Sequence, residues 1–177
     1  MVYLFLADGF EDMEATTPFD LLQRAGISVT TVGVGAKTVK SAHGLTVTAD
    51  ISEKEWKPEA LEAVIFPGGM PGASNLKKSK TVSESIRFAL EKQKIIAAIC
   101  AAPSVVLEGT GALANHSYTC FPGFACEEGN YTGKTWEWDG NLITANGPGA
   151  AEEFSYTLIK ALRSKETADS LRFSMNH

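Results

Sequence analysis

The stretch IIAAICAAPSVV (residues 95–106) ends an apolar run in a cysteine, Cys100, three residues ahead of Pro103. Cysteine is a small hydrophobe that is often buried, so packing alone would account for it. The alternative is chemical. Where a strand turns sharply into a helix, the residue at the turn is presented to a ligand, as the nucleophile is in a G-x-S-x-G elbow. Here the elbow glycines are replaced by Ala98 and Ala102, both small enough for such a turn. A thiol at a helix N-terminus faces free backbone N–H groups and the positive end of the dipole, which favour the thiolate and lower its pKa. Negative charge developing on a substrate oxygen would be met by the N–H of Ala101 and by that of Gly68 or Gly69.

Acids and bases beside such a thiol decide what it does. The run GFEDMEA carries Glu11, Asp12 and Glu14, which reads most simply as a solvated helix start. Glu14, however, is flanked by Met13 and Ala15. A carboxyl buried near the thiol would have a raised pKa and could donate or relay a proton. Histidine is scarce: His43 falls at a turn, His116 in the polar run GALANHSY, and His177 is the terminal residue. A Cys-His-acid triad therefore has little support. Cys120 and Cys126 flank FPGFA and read as packing thiols, with a transient redox partnership with Cys100 as the alternative. Trp136 and Trp138 alternate with Glu137 as in a half-buried strand, and no ligand role is assigned to them. The run GVGA at 33–36 lacks both the full dinucleotide-binding pattern and a following helix.

These groups act together only if the fold gathers them. The continuously apolar run at 2–7 reads as a buried strand, and the largely apolar runs at 27–34, 61–66 and 94–99 read as further strands. Helical patterns lie between them: 11–26, with Pro18 marking its regular start or a bend; 80–93, with Val82, Ile86 and Leu90 on one face; and 101–109. The segment 37–51 reads as two short antiparallel strands around His43–Gly44, and 134–146 as a hairpin about Asp139–Gly140. A long final helix is expected over 147–164. Alternating strand and helix imply a mostly parallel sheet covered on both faces. Ligands of such sheets bind at the carboxyl ends of the strands. Asp8-Gly9, Pro67-Gly68-Gly69, Cys100 and Asn146-Gly147-Pro148-Gly149 all follow strands, so four turns should meet on one edge.

Composition sets the frame. At 177 residues, 44% hydrophobic and 21% charged, the chain suits one domain spanning 1–177 with a proper core. A net charge of −5 with no basic run gives no reason to expect a nucleic-acid partner. No apolar run approaches the ~18 residues of a membrane span, and the short apolar N-terminus turns acidic too soon for a signal peptide. Three cysteines without CxxC spacing favour neither a disulfide framework nor a zinc site, and point to a reducing, cytoplasmic setting.

AAICAAP, taken with GFEDMEATTPFDLLQRAGISVT, VIFPGGMPGASNL and LITANGPGAAEEF, resembles the DJ-1/ThiJ/PfpI superfamily, most closely its DJ-1 branch and the bacterial ThiJ/YajL-like members. The resemblance runs from residue 2 to about 165. It implies a flavodoxin-like three-layer α/β/α sandwich, a homodimer, and an oxidation-prone nucleophile at Cys100 whose sulfur is hydrogen-bonded by Glu14. It places oxyanion-type donors at Gly69 and Ala101, and a lining of Gly68, Phe121, Gly147, Pro148 and His43 from the partner subunit. No cofactor and no metal are implied. The expected activity is that of a cysteine-dependent glyoxalase or protein deglycase acting on small reactive aldehydes or glycated groups. The alternatives are a redox sensor or stress chaperone whose Cys100 becomes a sulfinic acid, and, below it, a cysteine peptidase or amidase. Three departures bear on this. Many relatives carry histidine where this chain has Phe121, the peptidase-like branch has histidine where it has Ala101, and many carry an arginine where it has His43.

Overall fold

The computed structural model describes residues 1–176. In chain order the strands and helices are β1 (Val2–Ala7), α1 (Asp12–Arg24), β2 (Val29–Val34), β3 (Thr38–Lys40), β4 (Thr46–Thr48), β5 (Ile51–Ser52) and β6 (Ala63–Phe66). They continue with α2 (Gly72–Lys78), α3 (Lys80–Glu91), β7 (Ile95–Ile99), α4 (Ala102–Leu107), β8 (Ser117–Tyr118), β9 (Asn130–Tyr131), β10 (Trp136–Asp139), β11 (Leu142–Ala145), α5 (Ala151–Leu162) and α6 (Lys165–Ser174). Among the described residues the main sheet has seven strands in the order β10-β11-β7-β6-β1-β2-β5. Every neighbouring pair in it is parallel except β10 with β11.

The period-2 geometry of a strand sorts the apolar runs onto two faces. Tyr3, Phe5 and Ala7 of β1 pack with Val82, Ile86 and Ala89 of α3 and with Leu76 of α2. Val2, Leu4 and Leu6 pack on the other side with Leu21 and Leu22 of α1 and Phe154, Leu158 and Ile159 of α5. The result is a three-layer α/β/α sandwich whose central strands β1, β6, β7 and β11 are buried on both faces. Cys100 packs against both clusters, because it lies where the sheet ends and the two layers meet. No helix of the described residues is long and apolar enough to cross a membrane.

Three details differ from the sequence reading, while β10 alternates as expected. Regular α1 starts at Asp12, six residues before Pro18, which lies inside it. The Glu11 carboxylate accepts the Glu14 N–H at 2.8 Å and closes the first turn, so no later start is needed. The helix expected over 147–164 is α5, and an unexpected helix follows it: the chain breaks at Arg163, and the Ser164 hydroxyl caps α6 by accepting the Thr167 N–H at 3.2 Å. A fork of Arg172 onto Glu153, at 2.6 and 2.8 Å, ties α6 back onto α5. Helix α2 has no counterpart in the reading, since seven residues with a single buried leucine give no periodic signal. In β10 the tryptophans face out, at 39% and 37% exposed, while the Glu137 side chain is only 13% exposed. Lys134 pairs with that carboxylate at 2.9 Å, and Lys160 lies over the Trp138 ring.

Candidate active site

At the end of β7 the backbone turns at Cys100, whose φ of +64° is in the left-handed region that residues with a side chain seldom adopt. Two backbone bonds hold the turn. The Cys100 N–H donates to the Ala145 carbonyl at 2.9 Å, and the Cys100 carbonyl accepts the Phe121 N–H at 2.8 Å. Helix α4 follows at once with Pro103 in its first turn. The thiol is thereby half-buried rather than packed away.

Glu14 reaches this turn from the first turn of α1, and it is fully buried. Its Oε2 accepts the Gly68 N–H at 2.8 Å, its Oε1 has no hydrogen-bond partner among the described residues, and the carboxyl lies close enough to the Cys100 thiol for each to shift the other's pKa. Gly68 has no room for more. A Cβ there would stand 2.7 Å from Cys100 Cβ, 2.8 Å from Glu14 Oε2 and 3.0 Å from the Ala101 nitrogen. Gly69, at φ +82°, turns its own N–H onto the Cys100 sulfur, and the Ala101 N–H does the same. The two donors expected for an oxyanion therefore converge on the sulfur, while the Gly68 N–H is taken by Glu14.

Burial pushes the Glu14 carboxyl up to about 7, against the Gly68 bond and the nearby Cys100 thiol, and the charge of Glu11 adds to the rise. Burial also pushes the Cys100 thiol up, to about 12, and the Glu14 carboxyl acts in the same sense. The Gly69 and Ala101 donors oppose this without overcoming it. The thiol does not have the lowered pKa expected of a helix N-terminus. Helix α4 is only six residues long, and the carboxyl beside the sulfur makes a second negative charge unfavourable. Carboxyl and thiol thus hold one proton between them across a wide range above neutrality.

A thiol on a strained strand-to-helix turn, beside a buried carboxyl, sits within a chain whose residues 1–161 match the DJ-1/PfpI family model. The chain belongs to the DJ-1/PfpI family. It is 34% identical over 176 residues to the Parkinson disease protein 7 homolog of Danio rerio, covering 96% of this chain and 93% of that protein. It is 30% identical over 167 residues to the glutathione-independent glyoxalase DJR-1.2 of Caenorhabditis elegans, covering 91% and 87% respectively. The solved structure of oxidized Toxoplasma gondii DJ-1 superposes with a TM-score of 0.93 at 30% identity, over 99% of this chain and 97% of that one. The sandwich is accordingly the flavodoxin-like fold of DJ-1/PfpI proteins.

Within this DJ-1/PfpI chain the four turns do meet. Gly147, after β11, is buried beneath the Phe121 ring: a Cβ on it would come within 3.3 Å of Phe121 Cδ2. Pro148 follows in a short 3-10 turn that leads into α5. His43 lies between β3 and β4, in a loop tied to the start of α1 by Ala42 N–H to Phe10 carbonyl at 2.8 Å. Its Nδ1 is 2.9 Å from Asp12 Oδ2, and its side chain is 73% exposed. Burial of Asp12 is outweighed by bonds from Ser41 and His43, which hold that carboxyl below the usual range. His116 is half-buried, with Nδ1 3.7 Å from Asp139. Both described histidines are engaged away from the thiol, and His177 lies outside the described residues.

Cys120 is fully buried and Cys126 half-buried, and both are free. The Tyr118 hydroxyl donates to the Cys126 carbonyl at 3.0 Å and accepts its N–H at 2.9 Å. Sequence reasoning missed Phe124, which meets Phe121 edge to face at 6.2 Å between ring centres. The Pro-Gly turn between the two phenylalanines was the signal available for it.

Proposed function

We propose that the protein is a cysteine-dependent enzyme of reactive α-oxoaldehydes, with Cys100 as nucleophile and Glu14 as proton carrier. The observation that carries this reading is the fully buried Glu14 carboxyl, pushed up to about 7 and set beside a half-buried thiol that two backbone N–H groups also face. The name of the Caenorhabditis elegans relative supports it.

The one-proton pair supplies both functions the chemistry needs. The sulfur adds to the aldehyde carbon of methylglyoxal, the thiol proton passes to the aldehyde oxygen, and a hemithioacetal forms. The Gly69 and Ala101 donors lie beside the developing charge on that oxygen. Glu14, as a carboxylate, removes the proton from the former aldehyde carbon to give an enediol and delivers a proton to the ketone carbon, while the hydroxyl proton of the hemithioacetal passes to the ketone oxygen. The product is a thioester of lactate, which water hydrolyses to lactate and free thiol. One carbon is oxidised while its neighbour is reduced, so no external electron acceptor is required. Glyoxal gives glycolate by the same steps, and an early glycation adduct, a hemiaminal at the aldehyde carbon, gives the same hemithioacetal when the thiol displaces the amine, which leaves with the thiol proton.

A second reading draws on the same donors. Two equivalents of peroxide would convert the thiol to a sulfinic acid with release of two waters. The Glu14 carboxyl and the two backbone N–H groups would then bond the new oxygens, making a redox sensor. The test is lactate formation from methylglyoxal by the wild type, Cys100→Ser and Glu14→Gln. Turnover lost in both variants supports the enzyme. No turnover by the wild type, together with stoichiometric peroxide uptake at Cys100, moves the sensor ahead.

A further inference from the structure

The residue that departs from the family pattern stands beside the nucleophile. Phe121 is tied to Cys100 by its N–H, and its own carbonyl accepts the Phe124 N–H at 3.0 Å. Its ring is held from two sides: edge to face by Phe124, which packs against the core, and from below by Gly147. Gly147 has an extended φ of 163°, which any residue adopts, so its missing side chain serves the ring and not the backbone. Even so, 42% of Phe121 remains exposed. The braced ring thus keeps an apolar face open to solvent, on a residue bonded through its backbone to Cys100.

We propose that Phe121, braced by Phe124 and seated on Gly147, is a specificity-determining residue that favours α-oxoaldehydes bearing an apolar group on the ketone carbon, aryl above methyl above hydrogen. This rests on the aldehyde chemistry proposed for Cys100. With sulfur bonded to the aldehyde carbon, the substituent of the adjacent ketone carbon lies one bond further out, within reach of the wall. Apolar contact made there is kept through the proton transfer. Its loss lowers kcat/KM for the apolar substrate more than for the smallest one.

The test is the ratio of kcat/KM for phenylglyoxal to that for glyoxal in the wild type, Phe121→Ala, Phe121→His and Phe121→Leu. The ratio should fall about tenfold in the Ala and His variants, and Leu should retain most of it. Gly147→Ala, which pushes the ring from its seat, should lower the ratio less. A ratio unchanged within twofold in Phe121→Ala overturns the inference and leaves the exposed ring as a contact for a second copy of the chain. A parallel measurement does not need turnover: site-resolved alkylation of Cys100 by phenacyl bromide relative to bromoacetone. If neither aldehyde is turned over but this ratio still falls in Phe121→Ala, the aldehyde reading fails and the apolar wall stands. If the alkylation ratio is unchanged, the wall fails whatever the turnover.

Discussion

Cys100 and Cys120 both end up against the same apolar cluster, yet only one of them is placed to react. Cys120 is fully buried, and burial, helped by the charge of Cys126, raises its pKa against a bond from Ser104, so its thiol stays protonated. Cys100 is half-buried, held at φ +64°, and surrounded by a carboxyl and two N–H donors. Both thiols have raised pKa values. The difference lies in what accompanies the rise, since at Cys100 the thiol keeps its proton beside a carboxyl that ionises near 7 and can accept one. Low thiol pKa is therefore not the signature of this site, and a shared proton is.

The comparison breaks most sharply at the thiols themselves. Cys100→Ser should lower methylglyoxal turnover by about a thousandfold or more, as loss of a nucleophile does. Gly68→Ala should approach that loss and also destabilise the fold by about 1–3 kcal/mol, because its Cβ would overlap Cys100 and Glu14. Thermal unfolding beside the kinetic assay checks both effects.

Glu14→Gln should cost about 10²–10⁴ in turnover. In the wild type kcat/KM should rise with pH through about 7, where the pair passes from two protons to one, and this limb should vanish in Glu14→Gln. The same shift has a stability sign. Folding raises the Glu14 pKa from 4.5 to about 7, so the folded chain holds this proton more tightly than the unfolded one. The stability is fully present below pH 4.5 and is lost as pH rises through 7, by about 3 kcal/mol. Glu14→Gln should remove this decline, and denaturant melts at pH 4.5 and pH 8 would show it. Smallest of all, Cys120→Ala should cost about 1 kcal/mol and leave turnover within twofold.

How much of this was legible depended on the range of the forces involved. The parallel sheet was readable because continuous apolar runs and their spacing are local properties, and the elbow because Cys100, Ala102 and Pro103 are adjacent in sequence. Glu14 could be read as a candidate, but not as a partner of Gly68, since that bond spans 54 residues. The direction of the Cys100 pKa was misread for the same reason. A helix N-terminus is visible in sequence, whereas the burial and the carboxyl that outweigh it come from distant segments. The alternation of Trp136 and Trp138 with Glu137 was legible, but not which face turns in, because Lys134 satisfies the inward Glu137 from three residues away.

The central claim is that the thiol holds the substrate while the adjacent carboxyl moves a proton between the two carbons. Methylglyoxal turned over in D2O tests it most directly, with the lactate read by NMR at C2. The proton that Glu14 carries exchanges with solvent while the enediol persists, so the account predicts deuterium at C2 in wild-type lactate and lactate formation lowered about 10²-fold or more in Glu14→Gln. Lactate formed at full rate with only protium at C2, or undiminished lactate from Glu14→Gln, would contradict it.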